Sequence, residues 1–139
     1  MTTLFATTAN PAPPRSDYEP GVCNIGPAEI RRRRMAGHVG AIATLVVLAV
    51  LVVLDAPPVA RLILILPAAG AASGYLQAWL KFCAVFGSRG VFNFGSLGDW
   101  TKITDDDALA RDRRRSREIG LMALAIGVVI GIGAALLPF

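Results

Sequence analysis

Ala41-Ile42-Ala43-Thr44-Leu45-Val46-Val47-Leu48-Ala49-Val50-Leu51-Val52-Val53-Leu54 runs straight into Asp55-Ala56-Pro57-Pro58. No charged side chain interrupts the run, so one helix built from it would be apolar on every face. Such a helix belongs in lipid or in the centre of a large core. A chain of 139 residues has no core of that size. The stop is equally plain, because a residue before proline avoids helical geometry. A second apolar stretch starts directly after Pro58, so the two helices are expected to form an antiparallel hairpin.

Working outward, the first helix is expected to begin at Gly26-Pro27-Ala28-Glu29. Proline suits the first helical position, and a carboxylate suits the first turn. Residues 27–54 would measure about 42 Å at 1.5 Å per residue, against a bilayer core of about 30 Å. Arg31, Arg32, Arg33 and Arg34 would therefore stand out of the hydrocarbon. The second helix is expected over 59–86, kinked at Pro67, with Trp79 and Lys81 at its far interface. Residues 87–103, GSRGVFNFGSLGDWTKI, mix glycine with aromatics and read as an interfacial loop or a short re-entrant turn. The third helix is expected to start with Thr104 as its cap, in a capping box closed by Asp107. It would run as a stalk through Arg111, Arg113, Arg114, Arg115 and Arg117 and end in an apolar span.

The fold class expected is all-α and integral to the membrane. Three transmembrane helices over about 38–54, 59–79 and 119–138 follow an extended or disordered tail over 1–25. The three-helix domain is 26–139. The tail has no basic start and no apolar run, so a signal peptide is not expected. On these spans 13 of the 14 Lys and Arg residues fall on one side and Arg61 alone on the other. The positive-inside rule then sets the N-terminus in and the C-terminus out. A second helix that turns back without crossing would instead leave both termini inside.

The candidate functional features are contacts rather than chemistry. Gly70 and Gly74 form a GxxxG motif, as do Gly127 and Gly131. In lipid, close backbone approach is what lets helices associate, so these faces are expected to pack helix on helix or on a partner. Arg31, Arg32, Arg33, Arg34, Arg113, Arg114 and Arg115, with Phe92, Phe94 and Trp100, would meet anionic lipids or an acidic partner. Cys23, His38 and Cys83 are the only metal-ligand candidates. They lack a Cys-x-x-Cys pair and a fourth ligand, so no metal and no cofactor are expected. The glycines of 87–98 lack a P-loop ending and a GxGxxG pattern, which argues against nucleotide binding. A net charge of +4 is absorbed by the span flanks, so nucleic acid is not an expected partner. No ionisable residue lies deep in a span, and no nucleophile sits beside a base. An enzyme is not expected.

Two stretches stand out as a signature. One is Cys23-Asn24-Ile25-Gly26-Pro27-Ala28-Glu29-Ile30 with the arginine run. The other is Lys81-Phe82-Cys83-Ala84-Val85-Phe86-Gly87 through Gly90-Val91-Phe92-Asn93-Phe94-Gly95. Together they resemble small, uncharacterised bacterial multi-pass membrane proteins. The resemblance implies that the two stretches belong together at the inner face, and it carries no activity. The Ala, Arg and Val bias agrees with a bacterial source and an inner-membrane location. The expected function is a non-catalytic accessory subunit or assembly factor of a larger membrane complex, of the respiratory or another energy-transducing kind. The alternatives are a thiol or metal redox sensor using Cys23 and Cys83, and a self-associating structural protein forming a homo-oligomer.

Overall fold

A computed structural model describes residues 18–139, and residues 1–17 of the tail expected over 1–25 lie outside them. Helix α1 spans Pro27–Val53. A 3₁₀ helix, Pro58–Leu64, leads into α2, Ile65–Leu80. A short α3, Ala84–Arg89, precedes a two-stranded hairpin, β1 Val91–Phe92 and β2 Thr101–Lys102. The strands pair antiparallel, Val91 with Lys102 and Phe92 with Thr101. Helix α4 then runs unbroken over Asp106–Leu136. Three helical stretches are long and apolar enough to cross a membrane: Pro27–Val53, Pro58–Leu80 and Asp106–Leu136. By length and composition these three suit a multi-pass membrane protein.

The ends of these helices follow local chemistry. Pro27 opens α1 with Glu29 in the first turn. The other end closes on Asp55, left-handed at φ 50°. Its N–H donates to Val52 O at 3.1 Å, and the Ala56 N–H to Leu51 O at 2.9 Å. This is the Schellman pattern, with aspartate in the place glycine usually takes. Pro67 does not fall in the middle of an α-helix. It is the third residue of α2, and the chain ahead of it is wound as 3₁₀. A missing N–H matters little in a first turn, so the proline marks where the winding changes. The second helix also stops sooner than expected, at Leu80, because Lys81 is left-handed at φ 55°. The cap of α4 is Asp105, not Thr104: its carboxylate accepts the Ala108 N–H at 2.9 Å.

Helix α2 is central, with α1 on one side and α4 on the other. Against α1, an added Cβ on Gly74 would lie 2.5 Å from Gly37 N, and one on Gly40 would lie 2.7 Å from Ala71 N. Against α4, added Cβ atoms on Gly127 and Gly131 would meet Ile65 O at 2.7 Å and Ile65 Cγ1 at 2.4 Å. Gly70 is different. Nothing lies within 4 Å of its missing Cβ, so the Gly70–Gly74 motif packs through Gly74 alone. The faces of α1 and α4 turned from α2 carry exposed Ile42, Leu45, Val46, Val50, Leu121, Leu124 and Val129. Exposed apolar side chains in such a continuous run are what lipid covers.

Arg61 ties the far end together. It is only 2% exposed. Its Nη1 donates to Leu137 O at 2.9 Å and Ala134 O at 3.3 Å, and its Nη2 donates to Phe139 O. The Phe139 ring lies 4.6 Å from the guanidinium carbon. Carbonyls at a helix end have no partner within the helix, and here a cation from the 3₁₀ helix supplies one. Arg61→Ala is expected to lower stability by about 2 kcal/mol, read by reversible unfolding in micelles. Amide exchange should quicken locally over 134–139; uniform quickening along α4 would argue against a capping role.

Candidate functional site

Chemistry gathers at the end of the helices that carries the arginine runs. The extended-tail expectation fails for residues 18–25, which form a strap packed across this end. Its turn is held by Glu19 and Cys23, whose backbones bond both ways, the Cys23 N–H to Glu19 O at 2.9 Å. Asn24 is 0% exposed. Its side-chain Nδ2 donates to Cys83 O at 3.1 Å, and its Oδ1 accepts the Cys83 N–H at 2.6 Å. Its backbone accepts from Asn93 N at 3.0 Å, and Gly26 N donates back to Asn93 O at 2.8 Å. Asn24 therefore clips the strap to both the α2–α3 corner and the hairpin. That corner is built by Gln77, whose Oε1 accepts the Ala84 N–H at 2.9 Å. Phe82 and Cys83 are turned fully inward.

Glu29 and Arg33 complete this knot from α1. Glu29 is 1% exposed. Its Oε1 accepts from Asn93 Nδ2 at 3.5 Å, and its Oε2 faces Arg33 Nη2 at 3.8 Å. The same Nη2 donates to Cys83 Sγ at 2.8 Å. Buried polar groups in low dielectric are stable only when partnered, so this set fixes one arrangement of three segments.

A second network pins the strap to α4. Asp112, 0% exposed, accepts from Tyr18 Oη at 2.9 Å and from Gly21 N at 2.7 Å. It belongs to the polar first part of α4, ahead of the apolar run that begins at Ile119. Burial raises its carboxyl above the ordinary carboxylate range, and the two hydrogen bonds pull it back only in part. The Tyr18 phenol is raised too, by burial first and then by its hydrogen bond to Asp112. The folded protein thus holds the Asp112 proton more tightly than the unfolded chain, where an aspartate titrates near about 3.9. Stability falls as pH rises through the raised value, and the loss is complete above it. Asp112→Asn is expected to flatten this part of the slope of melting temperature as pH rises above about 4. Asp112→Ala, which orphans the Gly21 N–H, should cost about 1.5 kcal/mol. An unchanged slope in Asp112→Asn would show that the pH dependence comes from elsewhere.

The expected contact residues are distributed unevenly. Arg31, Arg32 and Arg34 are exposed on α1, while Arg33 is drawn into the knot. On α4, Arg114 and Arg115 each reach Glu118 at 3.3 Å, and Arg113 is exposed. Phe92 does not lie free in an interface: Tyr18 stacks on it at 4.6 Å, and Phe94 lies 5.9 Å away. Trp100 is exposed and walls a pocket of about 430 Å³ with Phe86, Arg89, Val91 and Lys102. Cys23, His38 and Cys83 do not converge. Cys23 Sγ contacts Ile25 O at 3.8 Å, His38 Nδ1 pairs with Tyr75 Oη at 2.7 Å, and Cys83 has Arg33. Among the described residues no three His, Cys, Asp or Glu side chains are grouped to hold a metal. None of the residues that organise this end, Asn24, Glu29, Gln77, Asn93 and Asp112, is among the expected contact residues. Three of them, Asn24, Glu29 and Asn93, lie in the two signature stretches, which here pack against each other through the Ile25–Asn93 bridge. No family model, curated protein or solved structure matches the chain.

Proposed function

We propose that this protein is a non-catalytic accessory subunit or assembly factor of a larger bacterial membrane complex, oriented with its arginine-rich end in the cytoplasm and its C-terminus outside. One observation carries the reading. Asn24, Gln77, Asn93 and Asp112 at the basic end are spent on holding strap, hairpin and helices together, while Arg31, Arg32, Arg34, Arg113 and an exposed tryptophan face outward. Such an end is a preformed contact surface. The 13-to-1 division of basic residues supports the orientation. An energy-transducing complex is the partner class favoured, and anionic lipids would surround the same surface. The test is gentle solubilisation after brief amine-reactive crosslinking. A reproducible heteromeric band that sharpens with Arg31, Arg32 and Arg34 intact supports the reading. A lone chain overturns it, and a defined homo-oligomer moves it to the self-associating alternative.

A second reading, thiol redox sensing through Cys23 and Cys83, is favoured by the contact of Arg33 Nη2 with Cys83 Sγ at 2.8 Å, which places a cation against one of the two thiols. Titration with a thiol reagent decides it: slow, ordinary reactivity at both cysteines removes it.

A further inference from the structure

We infer that the groove between α3 and α4 is a binding site for one anionic phospholipid, its phosphate held between Arg113 and Arg117. The groove measures about 650 Å³. Ala84, Val85 and Ser88 line it from α3, and Arg113, Ser116 and Arg117 from α4. The two arginines are four residues apart on one helix face, a spacing at which like charges repel. The acid beside them, Glu118, is engaged with Arg114 and Arg115. Among the described residues no ion pair reaches Arg113 or Arg117, and both are exposed. An anion between them removes the repulsion, and guanidinium groups match the geometry of phosphate oxygens.

The rest of the groove selects a lipid over a free anion. Its hydroxyls are committed within the protein, Ser116 to Asp112 O and Ser88 to Val85 O, both at 2.9 Å. Its floor is apolar, with Val85 46% exposed. Inorganic phosphate would gain nothing from that floor. Along α4 the arginine stripe continues one and two turns further as Gly120, Leu121 and Leu124, all exposed. Nothing lies within 4 Å of the missing Cβ of Gly120. A charged site opening onto an uncovered apolar track fits a molecule with a phosphate head and an acyl tail. Arg117 also sits just before the apolar run at Ile119, the depth at which headgroups lie. The inference rests on the helices crossing a membrane, and not on any protein partner.

The test titrates the full chain, in neutral detergent micelles, with phosphatidylglycerol and counts bound lipid by native mass spectrometry. Wild type should retain one lipid. The Arg113→Gln/Arg117→Gln double variant should bind about thirtyfold more weakly, the effect of losing two headgroup charges. Arg89→Gln/Arg111→Gln, at two exposed arginines outside the groove and with the same loss of charge, should stay within about threefold of wild type. Val85→Trp fills the groove and keeps both arginines, and it should also lose the lipid, which covers the case of a misfolded charge variant. Equal loss in the Arg89/Arg111 variant would overturn the inference in favour of general surface charge. Equal retention of phosphatidylcholine, displacement by equimolar inorganic phosphate, or undiminished binding to Val85→Trp would each overturn it as well.

Discussion

Gly74→Leu is expected to separate α1 from α2 and to cost about 3 kcal/mol or more, the upper range for overpacking a tight contact. The reason is that backbone meets backbone there. A Cβ on Gly74 would lie 2.5 Å from Gly37 N and 2.8 Å from Arg33 O, and neither can rotate away as a side chain could. Helix association in lipid depends on such close approach, since the surrounding tails are as apolar as the helices. Gly70→Leu, one helical turn away, is the reference: its new side chain enters open space. Unfolding by SDS titration in mixed micelles should shift strongly for the first and little for the second. Matching shifts would mean that the α1–α2 contact is not where the glycines place it.

Asn24→Ala should be nearly as damaging, at about 3 kcal/mol. It deletes two side-chain bonds to the Cys83 backbone and leaves that N–H buried without an acceptor. The backbone bonds of residue 24 to Lys81 and Asn93 would survive, so the strap should loosen rather than vanish. Cys83 provides the readout. In a Cys23→Ser background its thiol should resist maleimide in the parent and react quickly once Asn24 is truncated. A thiol equally slow in both would show that the strap does not guard the corner.

The helices were legible because hydropathy comes in blocks, and the ends of α1 because Pro27 and Asp55-Ala56-Pro57 are strong local punctuation. The break after Leu80 was not. Lys81-Phe82-Cys83-Ala84-Val85-Phe86 continues as apolar as the helix before it, and the turn is decided by Gln77 reaching forward to Ala84. The GxxxG motif in α2 was visible, but small residues lie all round that helix at Ala68, Gly70, Ala71, Ala72 and Gly74. Spacing alone could not say which one faces a neighbour. Gly37 and Gly40, which make the α1 side of the contact, are three residues apart and lack the GxxxG spacing. At the basic end, Asn24 and Asn93 look like ordinary loop residues, because their burial depends on partners far along the chain, 59 residues for Asn24. Asp112 among arginines reads as a solvated charge, and only the strap over it makes it a buried one.

Arg61 has a consequence for how the protein is made. Its acceptors lie 73, 76 and 78 residues further along the chain. When α1 and α2 emerge from the ribosome, the guanidinium at their hairpin has no carbonyl of α4 to hold, and a buried cation without partners is costly. Its burial therefore requires α4 to be in place. Docking of α4 is thereby the step that closes this end of the bundle.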